Sequence, residues 1–83
     1  MASPDWRPLE AAVSADQMGD WMWMGEVKYD GHTIQQYKHR DTRDYVNLDR
    51  DGNAWALWYN GSGDTPSSAE KMSAADAIAK ASR

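Results

Sequence analysis

The chain has no cysteine, no phenylalanine and few prolines, and it lacks any long apolar run. Without cysteine, neither a disulfide framework nor a thiolate zinc site is available, so packing alone must hold the fold. The longest apolar run, Trp21-Met22-Trp23-Met24, is far too short to cross a bilayer. No cationic, apolar start resembles a secretion signal, so a cytoplasmic protein with no membrane attachment is expected. The sequon Asn60-Gly61-Ser62 then has no use. Cations are also scarce: nine Lys and Arg face thirteen Asp and Glu, for a net charge of −4. The basic footprint of a nucleic-acid-binding domain is missing from the chain as a whole.

What is present fits one small domain. The chain has 83 residues, 41% hydrophobic and 27% charged, the proportions of an ordinary globular protein rather than a disordered one. Five Trp and four Tyr supply all the aromatic rings, so every ring carries a polar handle. Such rings suit sites where one side is buried and the other meets water or a partner, and they can equally fill a small core. The acidity is concentrated at the start, where Asp5, Glu10, Asp16 and Asp20 are opposed only by Arg7 within residues 1–20.

The spacing of apolar residues predicts an α+β fold: a four-stranded antiparallel β-meander over 21–60, packed by a C-terminal α-helix within 67–83 and preceded by a short N-terminal helical arm over 1–20. Arg7-Pro8 can open the arm, with a helix from Pro8 to about Met18 and Gly19 as a left-handed stop. Strands follow at 21–29, 33–39, 45–49 and 54–60, separated by Asp30-Gly31, Asp41-Thr42-Arg43-Asp44 and Arg50-Asp51-Gly52-Asn53. Asp30-Gly31 is the strongest of these signals, because a two-residue hairpin turn demands positive φ. Residues 61–66 form a Gly-rich connector. Ser67-x-x-Glu70 and Ser73-x-x-Asp76 both have the spacing of a helix start, leaving 67–73 as an extra turn or a short extended piece. Taking the more apolar parity of each strand predicts a core face of Trp21, Trp23, Val27, Ile34, Val46, Leu48, Trp55, Leu57 and Tyr59, closed by the alanine-rich last helix.

Motifs that carry catalysis or bind cofactors are not found. Asn47-Leu48-Asp49-Arg50-Asp51-Gly52 begins like a calcium loop, but the position that needs a closing glutamate is Trp58 and the flanks read as strands, so a tight turn accounts for it. His32 and His39, about 20 Å apart along an extended strand, cannot share a metal and read as exposed strand-end histidines. No nucleophile elbow is present, Gly61-Ser62-Gly63 lacks the lysine of a phosphate loop, and the Asp49/Asp51 pair sits at a turn tip. The chain is therefore expected to be neither an enzyme nor the carrier of a cofactor or metal.

The outer sheet face is the more suggestive region. With Ile34 inside, the alternation sends Met24, Tyr37, Tyr45 and Trp58 outward, beside a hairpin carrying Lys38, Arg40 and Arg43. Exposed aromatics and Met on one face mark a partner surface, unless the N-terminal arm covers them. The expectation is a small non-catalytic protein-interaction module of regulator or inhibitor type, a class that includes proteins encoded by phages and mobile elements, whose acidic arm favours a basic protein partner. Two alternatives stand beside it. One is a single-stranded nucleic-acid binder using Tyr37, Tyr45, Lys38, Arg40 and Arg43; the other is a homodimer.

Overall fold

A computed structural model describes residues 4–59 and 66–82; the sequon and most of the Gly-rich connector lie outside the described residues. Strands β1 (Trp21–Tyr29), β2 (His32–His39), β3 (Tyr45–Leu48), β4 (Asn53–Trp58) and β5 (Ser68–Ser73) form one antiparallel sheet in the order β1-β2-β3-β4-β5. The meander order is as the sequence predicts, but there are five strands rather than four. The fifth comes from the stretch assigned to the last helix. There Ser68, Glu70 and Met72 pair with Trp58, Ala56 and Ala54. The Ser67 hydroxyl donates to the Trp58 carbonyl at 3.1 Å instead of capping a helix. A paired ladder along β4 satisfies more backbone groups than one further helical turn would. Helix α2 (Ala74–Ala81) starts at the second serine, with Ser73 Oγ accepting the Asp76 N–H at 3.2 Å.

The N-terminal arm is also broken where one helix is expected. It holds a single helical turn, α1 (Arg7–Glu10), and a 3-10 segment, Ala15–Asp20. The break falls at Ser14, which is extended (φ −75, ψ 160) and whose N–H is met by the Gln17 side-chain oxygen at 3.4 Å. A short apolar stripe gives little reason to continue a helix through a serine that can bond its own neighbours. Gly19 lies inside the 3-10 segment and is not a left-handed stop.

Turn chemistry follows the sequence closely at the first hairpin. Asp30 (φ 49) and Gly31 (φ 79) both have the positive φ of a primed turn, and Tyr29 pairs with His32 across it. Further back in β1 the alternation slips. Trp23 pairs with Tyr37 and Gly25 with Gln36, so Met24 is an extra residue, a bulge, and Gly25 takes φ 148 to accommodate it. The slip sends Trp21 and Trp23 to one face and Val27 and Tyr29 to the other.

Directly paired residues share a face, so the register sorts the whole sheet. Trp23, Tyr37 and Val46 lie in one row, with Gln35, Leu48, Ala54 and Met72 in a neighbouring row of the same face. This face carries the core: Leu9, Trp21, Tyr37, Val46, Leu48, Ala54 and Ala81 are buried together, flanked by Trp6, Val13, Ala77 and Ile78. Both the N-terminal arm and α2 therefore pack on the same side. Val27, Ile34, Trp55, Leu57 and Tyr59, expected in the core, stand on the opposite face. His39, expected at an exposed strand end, is buried: its Nδ1 accepts the N–H groups of Asp41 (3.1 Å) and Thr42 (3.3 Å), and the Trp21 ring meets it edge-on at 4.7 Å.

Asp5 ties the arm down. Its carboxylate receives Arg7 Nε at 3.1 Å and Arg50 Nη2 at 2.7 Å, and its backbone carbonyl accepts the Tyr37 hydroxyl. The two guanidinium groups, Arg7 first and Arg50 second, hold the Asp5 carboxyl at about 2. A carboxyl depressed below its unfolded value stabilises the fold above about pH 4, and that contribution is lost as pH falls toward about 2. Both arginines are largely exposed, which limits the effect to the order of 1 kcal/mol. Thermal midpoints followed from neutral pH into acid should fall more steeply for the wild type than for Asp5→Asn. The gap between the two should shrink in about 1 M salt.

Candidate functional site

With both helical pieces on one side, the opposite face of the sheet has no layer over it among the described residues. Two regions of this face differ. At the hairpin end, the Trp55 ring reaches from β4 to His32 (centroids 4.9 Å apart) and Tyr29 (6.2 Å). Ile34, on the same face and paired with Val27, is fully buried there with no helix above it. At the other end the surface is open. Met22, Met24, Tyr45 and Tyr59 are exposed, Tyr45 by 52% and Met24 by 45%.

Charge is distributed unevenly between the two faces. The only carboxylates within the strands are Glu26 and Glu70. Both belong to the helix-bearing face: Glu26 pairs with Gln35 and accepts its Nε2–H at 2.8 Å, and Glu70 pairs with Ala56. The open face carries Lys38 and Lys71 and no acid in its strands. Each lysine lies over a ring of its direct cross-strand partner, Lys38 Nζ 5.6 Å from the Tyr45 centroid and Lys71 Nζ 5.7 Å from that of Trp55. A cation over a ring face is attracted by the ring quadrupole, by about 0.5–1 kcal/mol at an exposed site, which biases both ammonium groups toward these positions.

The residues picked out by sequence divide accordingly. Lys38 and Tyr45 come together on the open face, and Met24 is the exposed, unpaired bulge residue of β1. Arg40 and Arg43 are exposed in the adjoining β2–β3 turn, where Arg43 adopts φ 64. Tyr37 does not belong with them: it is 0% exposed, at the centre of the core, because its pairing with Val46 and Trp23 places it on the helix side. Burial pushes its phenol pKa well up. Trp58 is exposed but shares the helix-bearing face, across from Ser68. Met22, Trp55 and Lys71 were missed. Trp55 is expected in the core with Trp21 and Trp23, but the bulge at Met24 parts those two from Val27 and Tyr29, and Trp55 shares the face of the latter; Lys71 emerges only once 68–73 is a strand.

Two other clusters bear on chemistry. Ligand atoms of His32, Asp49 and Asp51 lie within 4.8 Å of one another. Asp49, however, is 3% exposed and its oxygens already accept four N–H groups: Asp51 N (2.9 Å), Asn53 N (3.0 Å), Asn53 Nδ2 (3.4 Å) and Trp55 Nε1 (2.8 Å). That uses the acceptor capacity of a carboxylate and leaves only His32 and Asp51 to offer a metal. The loop from Asp49 to Asn53 is thus a carboxylate-stapled turn, with Gly52 at φ 87. The second cluster is a cavity of about 350 Å³ where β3 and β4 part. Leu48 and Ala54 are the one direct pair between these strands, and Asn47 Nδ2 reaches across to the Trp55 carbonyl at 2.9 Å. Ala54, Ala56, Met72, Ala77 and Ala81 line the opening, and Asn47 Oδ1 is buried beside it without a hydrogen-bond partner.

The chain matches no protein-family model, no curated protein and no solved structure. Among the described residues no helix is long and apolar enough to cross a membrane.

Proposed function

We propose that this protein is a small non-catalytic interaction module that binds a protein partner through the open face of its sheet. The observation that carries this reading is the exposure of Met22 and Tyr45 together on a sheet face that neither helical piece covers, with the exposed bulge residue Met24 two residues along from Met22. An apolar group of this kind, rimmed by polar residues, is more often a contact surface than an ordinary exterior. Tyr and Met are also among the side chains enriched where proteins meet, Tyr for its rigid ring and Met for its adaptable thioether. The carboxylate staple at Asp49 and the committed Nδ1 of His39 support the non-catalytic part of the reading, since both groups are used in holding turns.

The test is an affinity pull-down from nuclease-treated native extract, with retained proteins identified by mass spectrometry. Wild type is compared with a Met24→Ser/Tyr45→Ser variant, whose exposed substitutions should change stability by no more than about 0.5 kcal/mol each. Proteins held by the wild type and released by the variant are the expected result. Identical retention by both would remove the open face from the account.

A further inference from the structure

We infer that the partner of the open face is a protein segment bearing carboxylates on either side of apolar anchor residues, an inference that rests on the interaction-module reading above. The argument is charge complementarity on a face whose sign is opposite to that of the whole chain. The net charge is −4, yet the strand residues of this face include two lysines and no acid, while both strand carboxylates lie on the other side. Lys38 is on β2 and Lys71 on β5, so three strand spacings of ~4.8 Å and a two-residue offset along the strands put their Cα positions about 16 Å apart, and each ammonium leans over a ring on a strand between them. Between and beside them lie Met22, Tyr45 and Leu57, the apolar part of the patch, with the exposed bulge residue Met24 on the same stretch of β1 as Met22. A partner that puts aliphatic or aromatic side chains on the Met/Tyr surface brings flanking carboxylates to both lysines. Because Tyr45 and Trp55 already bias those lysines toward one arrangement, part of the side-chain ordering cost of binding is met beforehand.

The other occupants fit less well. A second copy laid face to face would set lysine against lysine with no acid in the strands to receive either. A single-stranded nucleic acid would meet a negatively charged molecule through two cations. Of the rings at the lysines, only Tyr45 is broadly exposed, since Trp55 is covered by Lys71 and packed on His32. The acidic N-terminal arm, which on sequence grounds favours a basic partner, lies on the far side of the sheet, and its Asp5 is already paired with Arg7 and Arg50.

The experiment is selection of a displayed library of random 12-residue peptides on the full chain, with depletion on Met24→Ser/Tyr45→Ser. Selected peptides are then measured by fluorescence anisotropy against wild type, K38E/K71E and K38R/K71R, each shown to be folded by near-ultraviolet circular dichroism. A 12-nucleotide oligo-dT serves as a parallel probe, and sedimentation is run across a concentration series. Expected are peptides enriched about twofold in Asp and Glu together with Leu, Ile or Phe. Their affinity should fall about tenfold or more in K38E/K71E, be retained in K38R/K71R, and weaken as salt rises. Basic or uncharged peptides, or affinity indifferent to K38E/K71E, overturn this inference and leave the binding face standing. No peptide surviving depletion on the Met24→Ser/Tyr45→Ser variant overturns both. Oligo-dT binding abolished by K38E/K71E, or dimerisation abolished by Met24→Ser/Tyr45→Ser, replaces the acidic segment with nucleic acid or a second copy.

Discussion

Asp49→Ala should lower stability by about 3–5 kcal/mol, a large share of what the fold has, because several donors lose a buried, charged acceptor at once. A domain of this length has only about 4–12 kcal/mol in total. The reason is the number of groups that depend on one side chain. Asp49 Oδ1 receives the backbone N–H groups of Asp51 and Asn53, which shape the turn, and Oδ2 receives the Trp55 indole, which is the roof of the hairpin end of the open face. Asp49→Asn separates these roles. Its amide oxygen can still accept the two backbone donors, but its NH₂ then faces the Trp55 N–H, donor against donor, and the expected loss is about 2 kcal/mol. Urea unfolding followed by tryptophan fluorescence measures both. A loss below about 1 kcal/mol for Asp49→Ala would mean that the turn is held by other groups.

The same carboxylate gives a pH signature. Burial raises the Asp49 pKa, but the hydrogen bonds from Trp55, Asn53 and Asp51 outweigh it and the net direction is down. A depressed carboxyl stabilises the fold fully above its unfolded value near 3.9, and the contribution disappears as pH falls through the folded value. The stability difference between wild type and Asp49→Asn should therefore be constant around neutral pH and narrow in acid.

The second large effect is at Tyr37. Tyr37→Ala should cost about 3–5 kcal/mol, the range for removing a fully buried aromatic side chain, and Tyr37→Phe about 1 kcal/mol. The ring stacks obliquely on Trp6 at 5.6 Å, lies beside Val46 in the sheet, and its hydroxyl donates to the Asp5 carbonyl, so one residue joins the arm to the strands. Loss of the hydroxyl alone removes one donor from that carbonyl. This pair of variants distinguishes two placements sharply. A surface Tyr37, as alternation along β2 from an inward Ile34 implies, would tolerate alanine within about 0.5 kcal/mol. Thermal or urea unfolding decides between a change that small and the loss of several kcal/mol expected of a core residue.

Much of the architecture was readable from local chemistry. Asp30-Gly31 could hardly be anything but a primed hairpin turn, because positive φ at two successive residues is tolerated by few pairs. Three turn signals between alternating runs imply a meander, and its order is the order of the strands. Ser73 with Asp76 three residues on marks the start of α2 by a hydrogen bond that needs no tertiary partner. On the open face, Lys38 and Tyr45 stand together as their alternation from Ile34 and Val46 implies.

The division of residues between the two faces was decided by the tertiary structure. Alternation is only relative: it says that Trp23 opposes Met22, but not which of them faces the helices. A single bulge residue at Met24 reverses the assignment for the rest of β1. No local signal distinguishes that bulge from a continuous strand, since its glycine can serve either. Ile34 and Tyr37 then exchange places between the core and the open side, and Trp55 moves from supposed core to a cation-bearing roof. The fifth strand is likewise a tertiary outcome. Ser-Ala-Glu-Lys-Met-Ser has no strong preference for a strand, and it becomes one because β4 offers an unpaired edge beside it. By itself the sequence determined turns, caps and strand order, which depend on contacts within a few residues. The choice of buried face, and with it the cationic character of the surface left open, depended on how distant strands and both helical pieces met around one core.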